Sequence, residues 1–146
     1  MAKTLIAYCT LTGETGEVAG FIRDGLLSTG AEVLVANVAL LSGEGNIFGF
    51  DAYVLGSPTY HGEMMQPMKS FLFLAGNQDL RGRIGASFGS CLWSGEAVDR
   101  IHDTMKNIFR MQMIGEPLKL KSPILGDGEQ RARELGVEIG FALRHA

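Results

Sequence analysis

Thr10-Leu11-Thr12-Gly13-Glu14-Thr15 stands between an apolar run at residues 4–9, TLIAYC, and a stretch in which Val18, Ile22 and Leu26 recur at helical spacing. A buried strand that turns directly into an amphipathic helix reads as the opening of an α/β unit. The loop puts backbone N–H groups at a helix N-terminus, where the dipole is positive and an anion is favoured. Thr10, Thr12 and Thr15 add hydroxyl donors, and Gly13 lets the backbone approach a ligand closely. The spacing is neither a Walker loop, which requires a lysine, nor G-x-G-x-x-G, so a monophosphate suits it better than a triphosphate. A plainer reading makes Thr12 an N-cap with Glu14 in the first turn. The loop alone leaves the two readings even.

Outward from this loop the same alternation continues. Continuous apolar segments at residues 32–38, 52–57 and 84–89 read as further strands buried on both faces, and residues 111–120 as a fifth and weakest one. Met65, Met68 and Leu72, then Ile101, Met105 and Ile108, then Leu135, Ile139 and Leu143 mark three more helices. The Gly-rich stretch LLSGEGNIFGF, residues 40–50, lacks a helical stripe and reads as a loop or one short turn. Strands alternating with helices imply a doubly wound α/β fold, its parallel strands joined by right-handed crossovers with helices on both faces. A length of 146 residues, with no repeat or linker, suits a single domain over residues 1–146. In such a sheet ligands bind beyond the carboxyl ends of the strands, so the loops after strands one, three and four are expected to form the site.

Bulk properties narrow the function classes. No apolar run reaches the ~20 residues that span a bilayer, and the start MAKTLIAYCT is too quickly polar for a signal peptide, so a cytoplasmic protein without membrane insertion is expected. Cys9 and Cys91 are too few for a disulfide framework and lack metal-ligand spacing; free thiols are expected. A net charge of −3 with no basic cluster argues against nucleic acid and suits a partner with a basic face. Met64, Met65 and Met68 read as core filler, or as an apolar docking rim after the second loop.

The second loop is Gly56-Ser57-Pro58-Thr59-Tyr60-His61-Gly62, and the third runs Phe88-Gly89-Ser90-Cys91-Leu92-Trp93-Ser94-Gly95-Glu96. Two aromatic-bearing loops beside a phosphate site can sandwich a flat ring, although Tyr60 and Trp93 taken singly read as loop anchors over the core. A receiver domain would need acidic residues at the ends of strands one and three, where this chain has Cys9-Thr10 and Ser57-Pro58. An acyl-transfer enzyme would need Cys91 as nucleophile and His61 as its base, in no recognisable motif.

The segment TLTGET resembles the phosphate loop of flavodoxins, and GSPTYHG with FGSCLWSGEAVD resembles their other two loops, most closely in the flavodoxin module of flavodiiron proteins. The resemblance covers nearly the whole chain and implies a flavodoxin-like five-stranded parallel sheet in the order 2-1-3-4-5. It implies FMN as cofactor, its phosphate held by Thr10, Leu11, Thr12, Gly13, Glu14 and Thr15. Pro58, Thr59, Tyr60, His61 and Gly62 would lie along one side of the ring, and Ser90, Cys91, Leu92, Trp93 and Gly95 along the other. Two departures stand out: Glu14 replaces the usual asparagine, and Cys91-Leu92 replaces an aromatic-glycine pair. In flavodoxins similar to this one a peptide of the second loop turns over on one-electron reduction, which here places it between His61 and Gly62, with a positive φ at Gly62 in the turned-over state. Because the chain begins directly with the first strand, it is expected to be the module standing alone, a monomer. The function implied is that of a non-enzymatic electron carrier. It would shuttle electrons between a reductase and an acceptor protein through oxidised, semiquinone and hydroquinone flavin. The alternatives are a small FMN-dependent quinone or nitro-compound reductase, and an interaction domain that has lost flavin.

Overall fold

A computed structural model describes residues 2–41, 47–91, 95–122 and 126–145. β1 (Lys3–Tyr8) leads into α1 (Glu14–Leu27), followed by β2 (Glu32–Asn37), β3 (Ala52–Gly56), a small hairpin of β4 (Thr59–Tyr60) and β5 (Glu63–Met64), and α2 (Gln66–Ala75). Then come β6 (Ile84–Ser90), α3 (Glu96–Asp103), β7 (Gln112–Met113), β8 (Leu118–Leu120) and α4 (Gly128–Arg144). All four helices seen in the hydrophobic periodicity are present. The parallel sheet runs β2-β1-β3-β6-β7, with β8 also paired to β6. This is the expected 2-1-3-4-5 order, with the fifth position shared by two short strands. The expected strand over 111–120 is interrupted because Gly115, at φ +70°, and Pro117 stop the ladder between them. In the 40–50 stretch, only the end of a short turn at Val38–Leu40 is regular, and residues 42–46 lie outside the described residues.

Strand side chains alternate between two cores. Leu5, Ala7, Tyr53 and Leu55 pack against Met68 and Phe71 of α2 and Ala97 and Ile101 of α3. Ile6, Val54 and Phe88 face Val18 and Ile22 of α1 and Leu135 and Ile139 of α4. α1 and α4 meet almost backbone to backbone: a Cβ on Gly136 would collide with the Ile22 carbonyl and stand 2.8 Å from the Leu26 nitrogen. Met64 and Met68 are buried in the first core, so of the three methionines considered for a docking rim only Met65 is partly exposed.

Candidate functional site

The ladder carries the three loops to one end of the sheet. Tyr8 is in register with Gly56, and Gly56 with Phe88. Beyond the strands, the Cys9 amide donates to the Gly56 carbonyl (3.1 Å), Ser57 to Phe88 (3.2 Å) and Cys91 to Leu120 (2.9 Å). These backbone bonds fix where each loop leaves the sheet.

In the first loop the N-cap of α1 is Gly13, at φ +91°, and no side chain caps it. The Thr12 N-cap reading is thereby overturned: Thr10 reaches forward instead, its Oγ1 accepting the Gly13 amide at 2.8 Å. The first helical bond runs from Glu17 to the Gly13 carbonyl (3.1 Å), so the Glu14, Thr15 and Gly16 amides precede it and have no acceptor within the helix. A Cβ built on Gly13 meets nothing within 4 Å, so the space over this turn is open. Thr15 is buried, and its Oγ1 lies 3.0 Å from Ser90 Oγ, which links the first loop to the third. Leu11 stands out at 62% exposure, and Thr12 is exposed beside it. The ring of Tyr8 lies over Gly16, with a ring carbon 3.2 Å from where a Cβ would be. Sequence reasoning passed over Tyr8 because it reads as one more residue of the strand.

The second loop is the β4–β5 hairpin, in which Thr59 pairs with Met64 and Tyr60 with Glu63. Its two turn residues, His61 (φ +51°) and Gly62 (φ +73°), are both left-handed, as a type I′ hairpin turn requires. A positive φ at Gly62 is therefore already present in the turn as it stands and is not reserved for a turned-over peptide. Tyr60, 55% exposed, meets the His61 ring edge to face at 4.3 Å between centroids. Ser57 Oγ donates to the Pro58 carbonyl (2.9 Å) and accepts the Met65 amide (3.1 Å), which closes the base of the hairpin. Thr59 Oγ1 accepts the Ala97 amide at 3.1 Å. Gly95, the N-cap of α3, has no side chain to offer, so Thr59 caps that helix from another strand. Glu63 pairs with Lys69 Nζ (2.8 Å) and Arg100 Nε (3.0 Å). The Lys69 hydrogen bond, aided by the Arg100 charge, holds its carboxyl below the usual range.

Of the third loop, Ser90, Cys91 and Gly95 are described, whereas Leu92 and Trp93 lie outside the described residues. Gly95 is buried, and a Cβ built on it would stand 2.9 Å from the Lys119 side chain and 3.2 Å from Cys91 Sγ. Burial pushes the Cys91 thiol up, against a smaller opposing effect of Lys119, and burial likewise pushes up Cys9. An activated nucleophile is marked by the opposite shift. Among the described residues no cluster of His, Cys, Asp and Glu could hold a metal ion, and no helix is long and apolar enough to cross a membrane.

No family model matches the chain. The type A flavoprotein fprA of Rhodobacter capsulatus is 33% identical over 122 residues, covering 80% of this chain and 28% of that protein. The chain thus spans less than a third of that relative. Among solved structures, a flavodoxin from the domain Archaea superposes with a TM-score of 0.91 at 28% identity, covering 98% of this chain and 99% of that one. A flavodiiron core from Synechocystis sp. superposes at 0.90 with 21% identity, covering 99% of this chain and 36% of the other, a likeness of fold.

Proposed function

From the premise that the chain is a flavodoxin-like module, related to that of the flavodiiron proteins, we propose that it binds FMN without a covalent bond and carries electrons between redox partner proteins. The observation that supports this best is the head of α1. Three successive amides precede the first helical bond, the N-cap Gly13 has no side chain to cap them, and the space over Gly13 is open. That arrangement fits a phosphate, which the amides and the helix dipole favour together. Thr10, Leu11, Thr12, Gly13, Glu14 and Thr15 would surround the phosphate. The hairpin from Pro58 to Gly62 and the loop from Ser90 to Gly95 would flank the ring from two sides.

The chemistry when FMN is bound is the flavin's own acceptance and release of electrons. The chain's residues bind, orient and exclude water. Thr15 ties the phosphate loop to Ser90, Thr59 ties the hairpin to α3, and the exposed Leu11 and Tyr60 leave an apolar edge where a partner can approach. A partner with a basic face complements the net charge of −3. The alternative is a quinone or nitro-compound reductase, which would have to bind NAD(P)H as well.

Titrating the apoprotein with FMN and with riboflavin tests the reading. One FMN per chain should bind, with riboflavin weaker because it lacks the phosphate. FMN at about 100 times its dissociation constant should add roughly 2.7 kcal/mol of stability. No fluorescence change and no melting shift would refute flavin binding, and equal affinity for riboflavin would refute the phosphate assignment. Bleaching of the loaded protein by NAD(P)H alone would favour the reductase.

A further inference from the structure

The hairpin that would grip the ring is too small to hold itself. Each strand contributes two residues, paired only with one another, and isolated two-stranded hairpins are marginal even when longer. His61 adds to the difficulty, since an L-residue at φ +51° occupies a region that disfavours a Cβ. The hairpin's position must come from what it is tied to. On the β4 side, Thr59 reaches the head of α3. At its base, Ser57 holds Met65. On the β5 side, next to the turn, Glu63 spans two helices, its Oε2 accepting a hydrogen bond from Lys69 of α2 and its buried Oε1 in charge contact, without a hydrogen bond, with Arg100 of α3.

We propose that Glu63 is a positioning residue for the flavin: its carboxylate clamps the His61–Gly62 turn between α2 and α3 and so sets how tightly the hairpin closes on the ring. The proposal rests on the flavin-binding reading above. All three side chains are partly exposed, at 41% for Glu63, 39% for Lys69 and 59% for Arg100. Ion pairs so exposed contribute little to global stability. The turn is a different matter: it projects beyond the buried Met64, and among the described residues no other ion pair stands beside it, so there the pairs act on a segment with little stability of its own. The clamp should therefore appear in cofactor affinity and hardly at all in the melting temperature.

The test compares Glu63→Gln, Arg100→Gln and the double variant with the wild type. FMN titration, apoprotein melting and amide hydrogen exchange of residues 60–64 are measured on each. In Glu63→Gln the FMN dissociation constant should rise about three- to tenfold, as two exposed ion pairs allow, while the apoprotein melts within about 2 °C of wild type. Adding Arg100→Gln to Glu63→Gln should cost nothing more, since Arg100 acts through Glu63. The affinity gap should narrow as salt rises. Affinity within twofold of wild type, or losses that add in the double variant, would overturn the proposal. So would a fall of the apoprotein melting temperature by more than about 5 °C, because Glu63 would then serve general stability. If the wild type takes up no FMN, it is the functional reading that fails. Hydrogen exchange in the apoprotein still decides the clamp, by whether Glu63→Gln speeds exchange in the hairpin or leaves it unchanged.

Discussion

Replacing Gly62 by alanine isolates one physical effect, because the structure removes the others. No heavy atom lies within 4 Å of a Cβ built there, so the new methyl meets no neighbour. What remains is the backbone: φ is +73°, and an L-residue in the left-handed region costs roughly 1–2 kcal/mol. That penalty falls on the turn as it stands. Turning the 61–62 peptide over would convert the type I′ turn to type II′, in which only the first central residue keeps a positive φ. The burden would then move to His61. If the hairpin is open in the free protein and closes only on the flavin, the penalty falls on the bound state alone and Gly62→Ala should weaken FMN about 5- to 30-fold, the factor that such an energy represents. Gly62→Asn should recover most of the loss, since asparagine visits this region more readily, and Gly62→Val should be worse than alanine. Fluorescence titration of the three apoproteins measures the series. Wild-type affinity in Gly62→Ala, or equal affinities across Asn, Ala and Val, would show that the hairpin geometry does not govern binding.

Glu14 lies in the first turn of α1, beside the amides assigned to the phosphate, and Glu14→Gln should tighten FMN about two- to fivefold at low salt, with the gain shrinking as ionic strength rises; isothermal titration at two salt concentrations decides. Thr59→Val should uncap α3 at a cost of about 1 kcal/mol, while Thr59→Ser keeps the cap, and amide exchange at the head of α3 reads the difference. Gly136→Ala should force α1 and α4 apart, an overpacking cost of about 1–3 kcal/mol, and lower the melting temperature by roughly 3–10 °C. The Cys9 thiol and the Tyr53 phenol are raised above ordinary values of 9.0 and 10.0, chiefly by burial. Their contribution to stability is fully present below those values and lost as pH rises through the raised ones, so denaturant midpoints should fall above about pH 9 and fall less steeply in Cys9→Ala.

What was legible in the sequence is what a run of neighbouring residues can encode. Residues 4–9, 52–57 and 84–89 announce strands because both faces of a central parallel strand are apolar. The four helices announce themselves by their stripes. The fifth strand was faint for a physical reason, since Gly115 and Pro117 divide it into β7 and β8. At the first loop the composition was informative and the capping was not. Any of three threonines can cap a helix, and only the left-handed turn at Gly13 decides that Thr10 bonds the loop and Thr12 does not.

The connections that hold the loops together could not be read in this way, because their partners are distant along the chain. Thr15 finds Ser90 at 75 residues' separation, and Thr59 finds Ala97 at 38. Thr59 is the instructive case. Its sequence neighbours suggest a ring contact, yet its hydroxyl oxygen is engaged in accepting the Ala97 amide at the head of α3, so what it can still offer a ring is its O–H as donor and its methyl group. Glu63 carried no signal of its own in a segment where the eye goes to Tyr60 and His61. Its role emerges only once α2 and α3 have brought Lys69 and Arg100 to either side of it. A site assembled on loops at the end of a sheet is therefore specified twice. Local residues choose what each loop can bind, and remote partners set where the loop stands when it binds.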